Sequence, residues 1–403
     1  MPLDTGDTSF MLVATALVMI MTPGLAFFYG GLVSRKNVLA IMMQSYVSMG
    51  VSTILWVAVG YSLCFSGDVG GMGIIGNLDM AFLRGIEVTD LGGLNDTIPL
   101  LLFVVYQMMF AIITPALITG AFANRITFKA YLIFLVAWQI LVYYPFVHMI
   151  WGGGMLADWG VLDFAGGIVV HALAGMAALA SVIYVGKRGV EDAGAHNVPF
   201  VAIGAALLWF GWFGFNAGSE LAVDEVTAVA FINTQIAAAF AAITWLLLAW
   251  LYDGKPSFVE MLIGMIAGLA TITPAAGFVS PQSAMLIGVA AGAVCYFAVV
   301  FRKKKGLDDA LDVWGVHGVG GALGIIMLGV LASESIGGQN GLYHGNQDFF
   351  MVQLAGLALA CVWAFAFTYG MLMMIDMITP VRVTDEAEAA LDVTLHGESA
   401  YID

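Results

Sequence analysis

Charge is scarce in this sequence. Only 10% of its 403 residues are Asp, Glu, Lys or Arg, against roughly 25% in an ordinary globular protein, which excludes a typical water-soluble domain. Cysteine is scarcer still: Cys64, Cys295 and Cys361 sit in three different apolar stretches with no paired spacing. That pattern excludes a disulfide framework or a cysteine metal motif and leaves three small buried residues. Basic residues number 13 against 28 acidic ones, a net charge of -15. The acidic excess lies in loops and the tail and is no signal for nucleic acid; Asp68, Asp79, Glu87, Asp90 and Asp96, all within 67–97, read as solvated loop carboxylates. Nor does a basic stretch precede the first apolar run, since Met1 to Phe10 carries only Asp4 and Asp7 as charged side chains. A cleavable signal peptide is therefore not expected, and the first apolar segment would itself direct insertion.

Apolar length and glycine take the place of charge. Hydrophobic residues make up 61% of the chain and glycine occurs 49 times, a composition that lets membrane helices approach closely. Eleven apolar segments are read near 9–33, 38–66, 98–122, 129–150, 163–186, 198–218, 226–252, 258–277, 281–301, 311–332 and 347–377. Most reach the roughly 20 residues that cross a bilayer. Counting from an outside N-terminus, the inner connections carry Arg35, Lys36, Arg125, Lys129, Lys187, Arg188, Lys255, Arg302, Lys303, Lys304, Lys305 and Arg382, leaving only Arg84 of the 13 basic residues outside. This bias predicts the N-terminus outside and the C-terminus in the cytoplasm. The expected fold is an all-α polytopic membrane protein with eleven transmembrane helices.

The chain also repeats itself. Ile113-Thr114-Pro115-Ala116 returns as Ile272-Thr273-Pro274-Ala275 after 159 residues; Asp163 and Asp312 start two segments 149 residues apart, and His171 and His317 follow 146 apart. Five segments per half is an odd number, so the second half enters the bilayer from the opposite side. The result is an inverted five-helix repeat plus an eleventh helix, with a site between the halves near the midplane. The expected division is 1–186 for helices 1–5, 187–332 for helices 6–10, 333–380 for the eleventh helix and 381–403 for a cytoplasmic tail.

An ionisable ring in a membrane-buried helix is costly and marks a path for protons or a polar guest. A neutral imidazole has one donor and one acceptor, so His171 and His317 can bond each other and still offer an acceptor to a small donor molecule. Asp163 and Asp312 read as helix-start caps that meet backbone N–H groups, with Asp163 also shaping the field at the outer pore mouth. Tyr106 and Phe110 share one helix face at i, i+4. The run Trp209-Phe210-Gly211-Trp212-Phe213-Gly214-Phe215, with Ser219 beyond it, and Trp151 after the fourth segment supply further rings. Such rings form either a lipid-facing belt or, where they converge on one entrance, a cage for a small cation, each face contributing about 0.5 to 2 kcal/mol. Two other classes fit less well. A membrane haem-binding oxidoreductase would use both histidines as axial ligands but finds no second pair. A retinal-type pump needs a buried lysine, and every lysine falls in or beside an inner loop.

Asp163-Phe164-Ala165-Gly166-Gly167 with His171, the Gly211-Trp212-Phe213-Gly214-Phe215-Asn216-Ala217-Gly218-Ser219 run, Asp312 to Gly318 around His317, and the tail Leu391-Asp392-Val393 through His396-Gly397-Glu398 resemble the Amt branch of the Amt/Mep/Rh ammonium transporter family. The resemblance spans essentially the whole chain. It implies a homotrimer in the inner cell membrane, one narrow apolar pore per subunit, no cofactor and no enzymatic activity. Ammonium would bind at Trp151, Phe110 and Ser219, in a site held by Asp163. Phe110 and Phe215 would be stacked gate rings, His171 and His317 the pore pair, and Trp212 a pore-wall ring beside Tyr106. Because an ion in hydrocarbon carries a Born penalty of tens of kcal/mol in the idealised limit, loss of a proton near the gate and conduction of ammonia, with or without that proton, is the cheaper route.

The partners implied are membrane lipid and a cytoplasmic PII-type regulator. The alternative is an ammonium sensor of the same fold, with little flux and a fused signalling module. Asn124 stands where many relatives have glutamate, Tyr106 where phenylalanine is usual and Trp314 where phenylalanine is frequent. The acidic tail from Asp385 to Asp403 is expected to pack on the basic inner face through Leu391, Val393 and Tyr401.

Overall fold

The computed structural model describes residues 3–190 and 194–401; Met1 of the amino-terminal reading and Asp403 of the tail reading lie outside them. The bundle helices are α1 (Thr5–Leu32), α2 (Val38–Phe65), α3 (Leu100–Ile118), α4 (128–150), α5 (Gly167–Val185), α6 (Val198–Glu220), α7 (Glu225–Asp253), α8 (Phe258–Ile272), α9 (Pro281–Lys304), α10 (Trp314–Leu331) and α11 (Gln347–Asp376). Their starts are written in the sequence. Asp4 accepts from Gly6 and Asp7 N–H, Asp224 and Thr227 form a reciprocal capping box, and Ser280 caps a helix whose first residue is Pro281.

Among the described residues, ten helical runs are long and apolar enough to cross a bilayer, and α8 is not among them. Its apolar stretch was expected to run over 258–277, yet the helix has 15 residues. At Pro274, which has no N–H, the helix gives way to turns in which Ala275 N–H donates to Ile272 O and Phe278 N–H to Ala275 O, each at 2.9 Å. The tight turns that follow are held by Asn233, whose side-chain amide donates to Ala276 O at 2.9 Å and Val279 O at 2.8 Å. Irregular backbone inside a bundle persists where such partners satisfy it.

Two close crossings organise the bundle. Where α6 meets α1, a Cβ on Gly204 would lie 2.2 Å from Phe28 N; where α5 meets α10, one on Gly175 would lie 2.0 Å from Gly318 Cα. Only hydrogen fits at either place. Both α5 and α10 begin with a π-helical turn, Gly167–Ala172 and Trp314–Gly318, and each turn carries a histidine. The extra residue of such a turn re-aims a side chain relative to the α-helix behind it.

The tail folds back on one end of the bundle. Val383 N–H donates to Arg125 O and Thr127 N–H to Val381 O, each at 2.9 Å. Two short helices follow, α12 (Asp385–Glu388) and α13 (Leu391–His396). Leu391 N–H donates to Asn37 Oδ1 at 2.9 Å, and the Asp392 carboxylate accepts from Ala40 N–H at 2.8 Å, so the tail supplies the N-terminal cap that α2 lacks of its own. Tyr401 OH lies 2.8 Å from His196 Nε2. Leu391 is buried and Tyr401 half-buried, but Val393 is 60% exposed, so the expected anchor at Val393 does not form: it lies on the outward side of α13.

Candidate functional site

At the end of the bundle opposite the tail, a cavity of about 230 Å³ is lined by Trp151, Phe110, Ser219 and Asp163, together with Gln107, Phe164, Glu220 and Phe278. Deeper in, a narrow second cavity of about 10 Å³ is lined by Phe215, Trp212, His171 and His317 with Tyr29 and aliphatic side chains. That volume is about the room of one water-sized probe. Phe110 borders the outer cavity and Phe215 the inner one, and their rings stack at 4.3 Å and 30°. The two phenylalanines therefore form the partition between the cavities.

Each wall has a local cause. Phe110 is also met edge-on by Trp151, at 5.8 Å and 85°, and Trp151 is fixed by its indole N–H, which donates to Asp163 O at 2.8 Å. The Asp163 carboxylate accepts four backbone N–H groups, from Gly166 at 2.9 Å, Gly167 at 2.6 Å, Ile168 at 2.7 Å and Val169 at 3.1 Å. Gly166 makes this turn at φ +114°, a conformation open to glycine. Burial pushes the Asp163 carboxyl above its ordinary range, against the pull of those four donors. The cap expected at Asp163 is thus present, and its lone pairs are turned to the backbone.

In the inner cavity, His171 Nδ1 and His317 Nδ1 lie 3.2 Å apart, so one ring donates and the other accepts. His171 stacks on Trp212 at 5.4 Å and 23°. The Trp212 N–H is taken by Thr273 Oγ1 at 2.9 Å and the Tyr29 hydroxyl by Leu117 O at 2.9 Å. By contrast, His171 Nε2 is buried without a partner among the described residues. A cavity of this size has no room for a porphyrin, and the direct contact of the rings leaves none for iron between them, which removes the haem reading.

Two expectations are corrected and one open choice is resolved. Tyr106 borders neither cavity: its hydroxyl donates to the backbone at Gly214 O (2.9 Å) and Phe215 O (3.1 Å) and its ring meets Phe110 edge-on, so it braces the Phe110 ring from behind. The aromatic run on α6 divides by helical period. Trp212 and Phe215 face inward, while Phe210 is 57% exposed and Phe213 stacks on Phe231. Asp312 does not cap α10. It has φ +58° and forms a close ion pair with Arg302, while Asp309 accepts the Trp314 N–H at 2.7 Å. Asp309 precedes Asp312 by three residues and stands 146 residues after Asp163, the same offset as the histidines. Burial, and then the neighbouring Asp312, push its carboxyl up to about 6.

Glu220 and Gln107 were missed as lining residues. Both directly follow quoted motif residues, Ser219 and Tyr106, so their positions were within reach. The three cysteines are free and lie apart.

Residues 9–401 match the Ammonium Transporter Family. The chain is 46% identical to the ammonium transporter of Bacillus subtilis (strain 168), with all of both chains covered. It is similar to the crystal structure of Saccharomyces cerevisiae Mep2, at TM-score 0.88 and 33% identity over 95% of this chain and 88% of that one. It is also similar to a solved sensor Amt protein, at TM-score 0.89 and 29% identity over 97% of this chain and 98% of the other. Together with its apolar helix bundle, these likenesses identify the chain as a multi-pass membrane protein that belongs to the ammonium transporter family, a family of transporters and not of enzymes.

Proposed function

We propose that this protein recruits ammonium at Trp151, Phe110 and Ser219, parts it at the Phe110–Phe215 gate into ammonia and a proton, and passes both inward through the cavity lined by His171 and His317, the proton by way of the paired imidazoles. The observation that carries this reading is the free His171 Nε2 in an otherwise apolar space of about 10 Å³. A neutral histidine pair sharing one hydrogen bond has one acceptor nitrogen and one donor N–H left over, which suits a small neutral guest that both donates and accepts. An intact cation would find no countercharge there and would carry its desolvation penalty in full. Outside the gate, by contrast, ring faces attract it. Glu220, on the rim of the outer cavity, adds long-range attraction that salt screens.

The same reading takes 1–186 and 187–332 as inverted halves around the histidine pair, with 333–380 and the tail 381–403 appended. Its support is reciprocal packing: Gly175 abuts Gly318, and Gly321, 146 residues after Gly175, abuts Ala172, 146 residues before Gly318. A homotrimer in the inner membrane with the tail in the cytoplasm, surrounded by lipid and open to a PII-type regulator, completes the proposal. The basic residues at the tail end and the exposed apolar faces of α7 and α9 support it.

Ammonium pulses on proteoliposomes adsorbed to a solid-supported membrane test the reading. A saturable ammonium-evoked current is expected. Ammonium binding without current would instead favour the second reading, a sensor, for which the likeness to a sensor Amt protein speaks.

A further inference from the structure

Away from the pore, between the end of α5 and the end of α9 on the tail side, lies a cavity of about 380 Å³ lined by Lys187, Arg188, Arg302, Lys303, Gly306 and Asp308. Among the described residues that line it, four cations face one carboxylate, and that carboxylate is already occupied. Asp308 accepts from the Arg188 backbone N–H at 2.8 Å and from its guanidinium at 3.0 Å and 2.7 Å. Burial alone would raise the Asp308 carboxyl, but these bonds hold it below the usual range. Arg302 is buried, pairs with Asp312 and donates to Leu307 O at 3.1 Å, yet its Nε–H finds no acceptor. Lys187 and Lys303 form no ion pair among the described residues. Among the described residues, the tail brings Glu388, which accepts from the Val190 N–H at 3.2 Å and pairs with Arg382, and Asp385, whose Oδ1 would lie 2.9 Å from a Cβ on Gly189 and whose side chain is 81% exposed.

We propose that this cavity binds the phosphoryl group of a phosphate ester, supplied either by a soluble phosphate compound or by a lipid headgroup. A phosphoryl group brings one negative charge as a diester, more as a monoester or pyrophosphate, and several acceptor oxygens. These match two unpaired ammonium groups and a buried guanidinium N–H left without an acceptor. The cavity far exceeds the size of a bare halide, so it has room for the group that carries the phosphate.

The test uses the full chain in nanodiscs. In one arm the lipid is neutral phosphatidylcholine and inorganic pyrophosphate is titrated by calorimetry. In the other, phosphatidylglycerol retention is read by native mass spectrometry. Saturable binding in either arm is expected and identifies the source. Lys187→Gln with Lys303→Gln should weaken it about ten-fold, while Lys187→Arg with Lys303→Arg restores it and Lys255→Gln leaves it unchanged. Absence of saturable binding in both arms, or a double glutamine variant that binds like the parent, overturns the site. The readout is independent of ammonium flux.

Discussion

Gly175→Ala is the sharpest test of how the histidine pair is held. A Cβ at Gly175 would stand 2.0 Å from Gly318 Cα and 2.1 Å from Gly318 N, where unstrained carbon contacts need about 3.5 to 4.0 Å. The backbones of α5 and α10 must then part by roughly 1.5 Å. His317 is the residue before Gly318, and His171 is one turn before Gly175. Their Nδ1 atoms, now 3.2 Å apart, would open to roughly 4.5 Å, beyond hydrogen-bond range. Overpacking of this kind costs about 1 to 3 kcal/mol of stability, and the broken bond about 1 kcal/mol more. On the proposed pathway the current should fall at least about ten-fold, the equivalent of about 1.4 kcal/mol in barrier height. Fluorescence-detected size-exclusion melting reads the first effect and solid-supported-membrane recording the second. Gly370→Ala, at a glycine with open space around it, is the control and should do neither. Parental melting and current in Gly175→Ala would refute the argument that a backbone crossing sets the imidazole spacing.

His171→Leu and His317→Leu should each abolish or strongly reduce ammonium-evoked current while the protein still elutes as a folded oligomer; unchanged current in both would end the relay assignment. Trp151→Leu removes one ring face, worth about 0.5 to 2 kcal/mol, and should lower apparent ammonium affinity about two- to thirty-fold relative to potassium and methylammonium in competition assays. Unaltered selectivity would dissociate Trp151 from recognition. Deleting 385–403 removes the Asp392 cap from α2 and should change current while ammonium binding persists; identical current would make the tail a passenger. Asp308 titrates below the ordinary carboxylate range in the folded protein, so its contribution to stability is complete above that range and fades as pH falls through the lowered value. Asp308→Asn should therefore flatten the acid limb of a pH-melting curve, and an unchanged limb would contradict the ion-pair account.

Hydropathy revealed the bundle because spanning a bilayer is a one-dimensional demand on length, and it overran α8 because the turns after Ile272, braced by Asn233, are as apolar as the helix before them. The cavity residues were visible as rings and imidazoles in apolar runs, and helical period accounts for Trp212 and Phe215 turning inward together. Which side of the Phe110 ring Tyr106 occupies depends on the neighbouring α6 backbone, and no spacing encodes that. The choice of Asp312 over Asp309 followed a motif, when the constant 146-residue offset of the histidines singled out the other aspartate. What hid it was the buried Arg302, a partner that becomes visible only when α9 and the segment before α10 are brought together.

The Asp163 carboxylate directs both oxygens at four backbone donors, and this bears on how long a cation dwells at the entrance. A carboxylate with free lone pairs would hold an ammonium ion by charge-assisted bonds and slow its departure. With those lone pairs engaged, a cation recruited there meets ring faces, the Ser219 hydroxyl and the Gln107 amide, with the Glu220 carboxylate at the rim. On the proposed pathway such a site exchanges quickly. On that pathway discrimination comes from the ability to hand over a proton and continue, an option closed to an alkali cation however long it stays.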